Sequence, residues 1–237
     1  MVNVPDYGSE EVADTAIAMM LTLARGVHVL NSRLREKRGQ WHYTQVVPIA
    51  RLRGRGFGIV GLGRIGTAAA LRAKALGMDV LFYDPYKPDG CDKSLGIRRV
   101  ETLDELLRQS LVVSMHCPLT EETRHIIDAA AIARMPHGSY LVNTARGAVV
   151  DTRAVPDALA SGQLAGAAID VLEREPPPDD DPLLAAWRNP DHVAHDRLIV
   201  NPHAAFYSEE GLLDMRLKGA EACRRAILGM PLRNVVN

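Results

Sequence analysis

The chain has 237 residues, with Lys+Arg 28 against Asp+Glu 29 and a formal net charge of -1. Hydrophobic residues make up 47% and charged residues 24%, which excludes wholesale disorder. So balanced a charge gives no general attraction to nucleic acid or to an anionic membrane, and neither is expected as a partner.

The N-terminal run MVNVPDYGSEE has neither the basic region nor the apolar core of a secretory signal. A first long helix follows. Ser9 is placed to cap it, and Glu10 and Glu11 in its first turn suit the helix dipole. Its apolar stripe is Val12, Ala16, Met19, Met20, Leu23 and Val27, which reads as core, with part of it free to face a partner subunit or a further domain. The longest apolar stretch, residues 15–24, is too short to span a bilayer. Residues 33–38 (RLREKR) carry four basic side chains around Glu36 and read as a solvated or subunit-facing surface.

From residue 57 onward, apolar runs alternate with helical patterns. The β-like runs are residues 57–60, 80–83, 111–115, 140–143, 167–171 and 198–201. Most are apolar at consecutive positions, as strands covered on both faces should be. Helical segments at residues 64–76, 103–109, 128–134 and 153–161 fall between them. This alternation predicts an α/β fold, a Rossmann-type doubly wound parallel sheet with flanking long helices. Residues 175–181 (EPPPDDD) read as an exposed loop. In residues 187–197, His192 and His195 lie near Asp191 and Asp196, but a solvated loop is expected there rather than a metal site. Ser208 is placed to cap a last helix with the stripe Leu213, Leu217, Ala220 and Ile227, again read as core. The three cysteines, Cys91, Cys117 and Cys223, are too few and too scattered for a disulfide framework or a zinc site; they suit a reducing, cytoplasmic setting.

Gly61-Leu62-Gly63-Arg64-Ile65-Gly66 follows a strand and opens a helix. In that context Gly61 permits the tight turn, Gly63 lets the backbone approach a pyrophosphate and Gly66 lets helix and strand pack closely. The helix N-terminus offers free N–H groups to phosphates, with the Arg64 side chain a lesser contact. Asp84 ends the next strand, eighteen positions beyond Gly66. An acid there accepts hydrogen bonds from both ribose hydroxyls of NAD and repels the extra phosphate of NADP.

Three later segments lie just after strands: Asn143-Thr144-Ala145-Arg146-Gly147, Glu175-Pro176 and Asn201-Pro202-His203-Ala204-Ala205. Each alone reads as structural. Together, beside a dinucleotide site, they suit hydride transfer: histidine as the base for a hydroxyl proton, a carboxylate behind it, and an arginine for an anionic substrate.

The stretches VNVPDYGSEEVAD (2–14), GIVGLGRIG (58–66), HCPLTEET (116–123), NTARGAVVD (143–151), GAAIDVLEREPP (166–177) and NPHAAFYSEE (201–210) resemble the D-isomer-specific 2-hydroxyacid dehydrogenases. They are most similar to the C-terminal-binding protein branch, dehydrogenase-like transcriptional corepressors. The resemblance implies that Arg146 binds substrate, that His203 is the acid/base and that Glu175 pairs with His203. It implies that Asp170 holds the nicotinamide carboxamide and that Thr144 and Ala145 line the nicotinamide pocket. The loop from Cys117 through Pro118 to Thr123 then surrounds the adenosine side, and His116 is left as structural. NAD is the implied cofactor, and a homodimer through the first long helix and the segment after it is the implied assembly. Residues 1–206 would form the NAD-binding domain, and 207–237 a C-terminal helix returning to a substrate domain.

Family members carry a further domain ahead of the VNVPDYG stretch, whereas Met1 stands one residue before it here. Positioning by a closing domain carries ~7–11 kcal/mol of a barrier, so this chain alone is expected to bind NAD(H) and to turn over poorly. Phe206 stands where the corepressor branch tends to carry Trp. Two functions follow. One is an NAD-dependent oxidoreductase for the CH–OH group of a D-2-hydroxy acid, or for reduction of the 2-keto acid. The alternative is an NAD(H)-binding scaffold or corepressor-like dimer without significant catalysis.

Overall fold

The structure is a computed structural model and describes residues 1–236. Seven strands form one sheet: β1 (Gly56–Val60), β2 (Asp79–Tyr83), β3 (Arg98–Arg99), β4 (Val112–Met115), β5 (Ser139–Asn143), β6 (Leu164–Ile169) and β7 (Leu198–Val200). Every pairing is parallel, and the order is β3-β2-β1-β4-β5-β6-β7. The chain therefore winds outward in both directions from β1, and the crevice between the β1 and β4 carboxyl ends is the switch point where such sheets bind ligands.

Among the described residues ten α-helices accompany the sheet, besides three short 3-10 turns: α1 (Ser9–Arg25), α2 (Val27–Arg35), α3 (Arg64–Ala75), α4 (Cys91–Leu95), α5 (Leu103–Gln109), α6 (Ala129–Arg134), α7 (Val155–Ala160), α8 (Pro182–Arg188), α9 (Ala194–Arg197) and α10 (Glu209–Ile227). They cover both faces. On one, Leu81, Met115 and Leu141 pack with Leu106, Ile132 and Leu159. On the other, Phe57, Ile59 and Val142 pack with Met20, Ala69 and Ala73 of α1 and α3. This double burial is why the strands are apolar at consecutive positions.

The first long helix differs from expectation in three ways. Gly8, not Ser9, is the cap residue, and it makes no side-chain cap bond. Gly8 packs against Phe206, where a Cβ would stand 3.2 Å from the Phe206 Cβ. The start of α1 is held instead by carboxylates: Ser208 Oγ donates to Glu11 at 2.7 Å, and Arg72 of α3 bridges Glu10 and Asp14 at 2.6 Å each. Second, the helix breaks at Gly26, whose φ of 62° is the left-handed conformation that ends a helix cheaply only at glycine. Third, the break turns Val27 out to solvent, while Val12, Ala16, Met19, Met20 and Leu23 stay buried. Among the described residues no single helix is long and apolar enough to cross a membrane; α1 and α2 together pass on length and composition but bend by 65°.

The last helix is capped as expected, with Gly211 N–H donating to Ser208 Oγ at 2.8 Å. Its stripe is not core: Leu213, Leu217, Ala220 and Ile227 are all exposed, Ile227 at 84%. Residues 187–197 are also more ordered than a solvated loop. His192 accepts from Ala194 N–H, His195 Nδ1 lies 3.1 Å from the Trp187 carbonyl, and α9 forms a helical turn there. Asp196 pairs with Arg33 of the basic segment at 2.5 Å.

Candidate active site

The glycine turn sits between β1 and α3. Gly61 has a φ of 92°, and a Cβ on it would meet Cys117 N at 2.7 Å, so the turn and the β4 end close on each other. A Cβ on Gly66 would stand 2.2 Å from the Gly61 carbonyl oxygen, so only glycine lets α3 rest on the turn. Above Gly63 nothing lies within 4 Å, and Gly63 caps α3 without any side-chain bond. The first-turn N–H groups are therefore free, and an open cradle lies over them, which is what a pyrophosphate requires. Leu62 is buried and Arg64 exposed. Asp84, at the end of β2, reaches the turn: its carboxylate accepts from Leu62 N–H at 2.8 Å and from Tyr86 N–H at 3.0 Å. Beyond β4, Thr123 Oγ1 donates to the Pro118 carbonyl at 2.7 Å and accepts from Thr120 N–H at 2.7 Å, tying the 117–123 loop.

A cleft of about 380 Å³ opens along the carboxyl ends of β4, β5 and β6. Of the residues expected from sequence, it brings together Ile65, Cys117, Pro118, Thr144, Ala145, Arg146, Asp170 and His203. The glycines, Leu62, Arg64, Asp84 and Thr123 are not part of its lining. Glu175 stands behind His203, not in the cleft wall.

His203 Nδ1 is 2.6 Å from Glu175 Oε2, and Glu175 Oε1 accepts from Leu172 N–H at 2.7 Å. The carboxylate is thus pinned from one side while it orients the ring from the other. Because Nδ1 faces a carboxylate, it carries the proton in the neutral ring, and Nε2 is left as the reactive nitrogen. His203 adopts a φ of 54°, the left-handed region that a histidine occupies at a cost.

Asp170 holds that conformation. Its carboxylate accepts from Ala204 N–H at 3.0 Å and from Ala205 N–H at 3.1 Å, and its backbone carbonyl accepts from His203 N–H at 2.7 Å. These bonds were invisible in sequence, since thirty-odd residues separate the partners. Arg146 extends from the turn after β5 and donates to the Ala145 carbonyl at 2.6 Å; among the described residues no carboxylate pairs with it. Asn143 steadies the same turn, accepting from Ala145 N–H and donating to the Arg146 carbonyl, both at 3.0 Å.

The cleft also holds residues that were given no site role from sequence. Tyr7 meets Phe206 edge-on at 6.1 Å, and Phe206 meets the His203 ring edge-on at 6.3 Å, so an aromatic wall stands beside the imidazole. Pro5 precedes Tyr7, and the matched stretch at residues 2–14 was the one signal for both. His116 lies on the cleft floor, where burial pushes its pKa down to about 4. Burial pushes the neighbouring Cys117 thiol up to about 11, with the Asp84 charge adding a little, so it is a packing group and not a nucleophile.

Residues 17–205 match the family model for the NAD-binding domain of D-isomer specific 2-hydroxyacid dehydrogenases. A D-3-phosphoglycerate dehydrogenase of Methanocaldococcus jannaschii is 38% identical over 237 residues, covering 100% of this chain and 43% of that protein. A D-lactate dehydrogenase of Treponema pallidum is 38% identical over 240 residues, covering 98% of this chain and 70% of that protein. A crystal structure of a D-lactate dehydrogenase from Treponema pallidum superposes with a TM-score of 0.86 at 36% identity, over 100% of this chain and 71% of the other. A D-lactate dehydrogenase from Aquifex aeolicus, complexed with NAD and lactic acid, superposes at 0.83 with 32% identity, over 96% and 69%. The chain thus spans less than half of one relative and about seven-tenths of the other. It belongs to the D-isomer-specific 2-hydroxyacid dehydrogenases, and it carries their NAD-binding domain.

Proposed function

We propose that this chain works in an NAD-dependent oxidoreductase that oxidises the CH–OH group of a D-2-hydroxy acid or reduces the matching 2-keto acid. The observation that carries the reading is the His203–Glu175 pair at 2.6 Å beside a cleft that also holds an unpaired Arg146. When bound, NAD supplies the hydride acceptor. The chain's own groups do the rest. His203 Nε2 takes the hydroxyl proton, and Glu175 favours the imidazolium that forms. In the reverse direction the protonated ring returns that proton to the carbonyl oxygen. Arg146 holds the substrate carboxylate and polarises its neighbour oxygen. Asp170, with one carboxylate edge turned to the Ala204 and Ala205 amides, has acceptor capacity left for the nicotinamide carboxamide. Thr144 and Ala145 line that pocket. The glycine turn, with Leu62, Arg64 and Ile65, seats the phosphates; Asp84 takes the ribose hydroxyls; and Cys117, Pro118 and Thr123 border the adenosine.

The same reading makes the protein a cytoplasmic homodimer that takes a small 2-hydroxy or 2-keto acid. Large side chains left open in the segment after α2 support the dimer: Trp41 is 90% exposed and Tyr43 69%. Three free cysteines at scattered positions support the compartment. Residues 1–206 form the cofactor unit, and α10 uses its exposed stripe against the part of the enzyme that closes over substrate. That stripe and the open Trp41 also keep a second function in view, an NAD(H)-binding scaffold or corepressor-like dimer of the C-terminal-binding protein kind.

The test is an NADH-coupled screen of glyoxylate, pyruvate, hydroxypyruvate and bulkier 2-keto acids, on this chain and on one extended at its N-terminus. Turnover by either, abolished in His203→Ala with NADH binding largely spared, supports the enzyme. NADH binding with no turnover by either chain on any acid supports the scaffold.

A further inference from the structure

Two polar atoms in the cleft have no hydrogen-bond partner among the described residues. β4 and β5 run in parallel with Ser114 opposite Val142 and Met115 opposite Asn143. The next residues, His116 and Thr144, therefore leave the sheet side by side and on one face. His116 Nδ1 and Thr144 Oγ1 are both buried, and neither has a partner among the described residues. Both residues line the cleft that holds Arg146 and His203.

The protonation state of the ring follows from its other contact. Burial keeps the imidazole neutral, with a pKa of about 4. Ser114 Oγ lies 2.9 Å from His116 Nε2. Among the described residues that hydroxyl proton has no other acceptor, so Ser114 donates to Nε2 and the single ring proton sits on Nδ1. The cleft floor thus presents an N–H donor and a hydroxyl with no partner, a combination that folded proteins rarely leave bare. Asp170 does not satisfy these donors: its carboxylate is bonded to the Ala204 and Ala205 amides and to neither of them.

We propose that His116 and Thr144 form a two-pronged seat for one acceptor oxygen of the nicotinamide nucleoside, either a ribose hydroxyl or the carboxamide oxygen. They are positioning residues for the reacting end of the cofactor, and Ser114 sets the tautomer that makes His116 a donor. The inference rests on the NAD-dependent reading.

Calorimetry on the full chain tests it with three probes: NAD, ADP-ribose and ADP. His116→Ala and Thr144→Val are each expected to weaken NAD about threefold to tenfold, the loss of one hydrogen bond, and to leave ADP unchanged. His116→Asn, which restores a donor near the Nδ1 position, should recover most of the loss. A parallel loss for ADP-ribose assigns the oxygen to the ribose; an unchanged ADP-ribose affinity assigns it to the carboxamide. Unchanged NAD affinity, or an equal loss for ADP, overturns the seat. Wild-type protein that binds none of the three overturns the NAD-dependent reading and the seat with it. Nitrogen-15 spectra of the wild type give a check that needs no variant. His116 should be neutral with its proton on Nδ1, and that signal should move on addition of NAD; a signal that stays put overturns the seat.

Discussion

Replacing Asp170 with asparagine changes one oxygen to an NH₂ group and should cost both stability and turnover. The side chain is 2% exposed, so water cannot compensate. Two backbone donors depend on it, Ala204 N–H at 3.0 Å and Ala205 N–H at 3.1 Å. A hydrogen bond to a charged acceptor contributes ~1.5–3 kcal/mol, and a buried donor left unsatisfied costs ~1–3 kcal/mol. Asparagine keeps one acceptor, weaker because neutral, and turns its NH₂ toward a donor. The expected loss is about 2–4 kcal/mol. For a chain of this size each kcal/mol lowers Tm by ~2–4 °C, giving a fall of about 4–16 °C. The same bonds hold His203 at its φ of 54°, so turnover should fall together with Tm. Ligand-free thermal and urea unfolding measure the first effect, and the keto-acid assay the second. A Tm within about 1 °C of wild type would show that the Ala204–Ala205 turn does not lean on this carboxylate, and the account of His203 would go with it.

Other outcomes follow from neighbouring contacts. Glu175→Gln should lower turnover about tenfold, a charge-assisted bond discounted for partial exposure, while NADH affinity measured by fluorescence stays within about twofold. Gly66→Ala should destabilise the chain by about 1–3 kcal/mol and weaken NAD binding, because its Cβ would stand 2.2 Å from the Gly61 carbonyl oxygen; urea midpoints and calorimetry read both. His116 titrates near 6.5 when unfolded but only at about 4 in the buried site. The unfolded chain therefore binds a proton that the folded chain refuses, and stability falls as pH drops from 6.5 toward 4. The loss approaches about 3 kcal/mol. Urea midpoints across that range should slope for wild type and flatten in His116→Ala; parallel slopes refute the assignment.

Much of this molecule can be read from its residues, and the failures have physical causes. The central strands announce themselves because burial on both faces demands apolar side chains at successive positions, as in Phe57–Val60 of β1. The glycine turn is legible because three separate steric demands fall at fixed spacing. Strand β3 was missed because two arginines at a sheet edge need no apolar pattern. The break at Gly26 was missed because the apolar stripe runs on to Val27, and the stripe says nothing about φ. The α10 stripe was taken for core because periodicity shows that a face is apolar, not what it touches. At the site, His203, Glu175 and Arg146 were legible as residue types after strand ends. The grip of Asp170 on the His203 turn and the bare atoms of His116 and Thr144 arise from contacts between distant segments, which no local pattern records.

The 2.8 Å bond from Leu62 N–H to Asp84 makes the glycine turn and the end of β2 one rigid corner. One carboxylate thus fixes the turn after β1 and the start of the segment after β2 together, before any ligand arrives. Each oxygen of that carboxylate keeps a lone pair beyond the one its backbone N–H donor uses, so a hydroxyl donor can join the bond without breaking it.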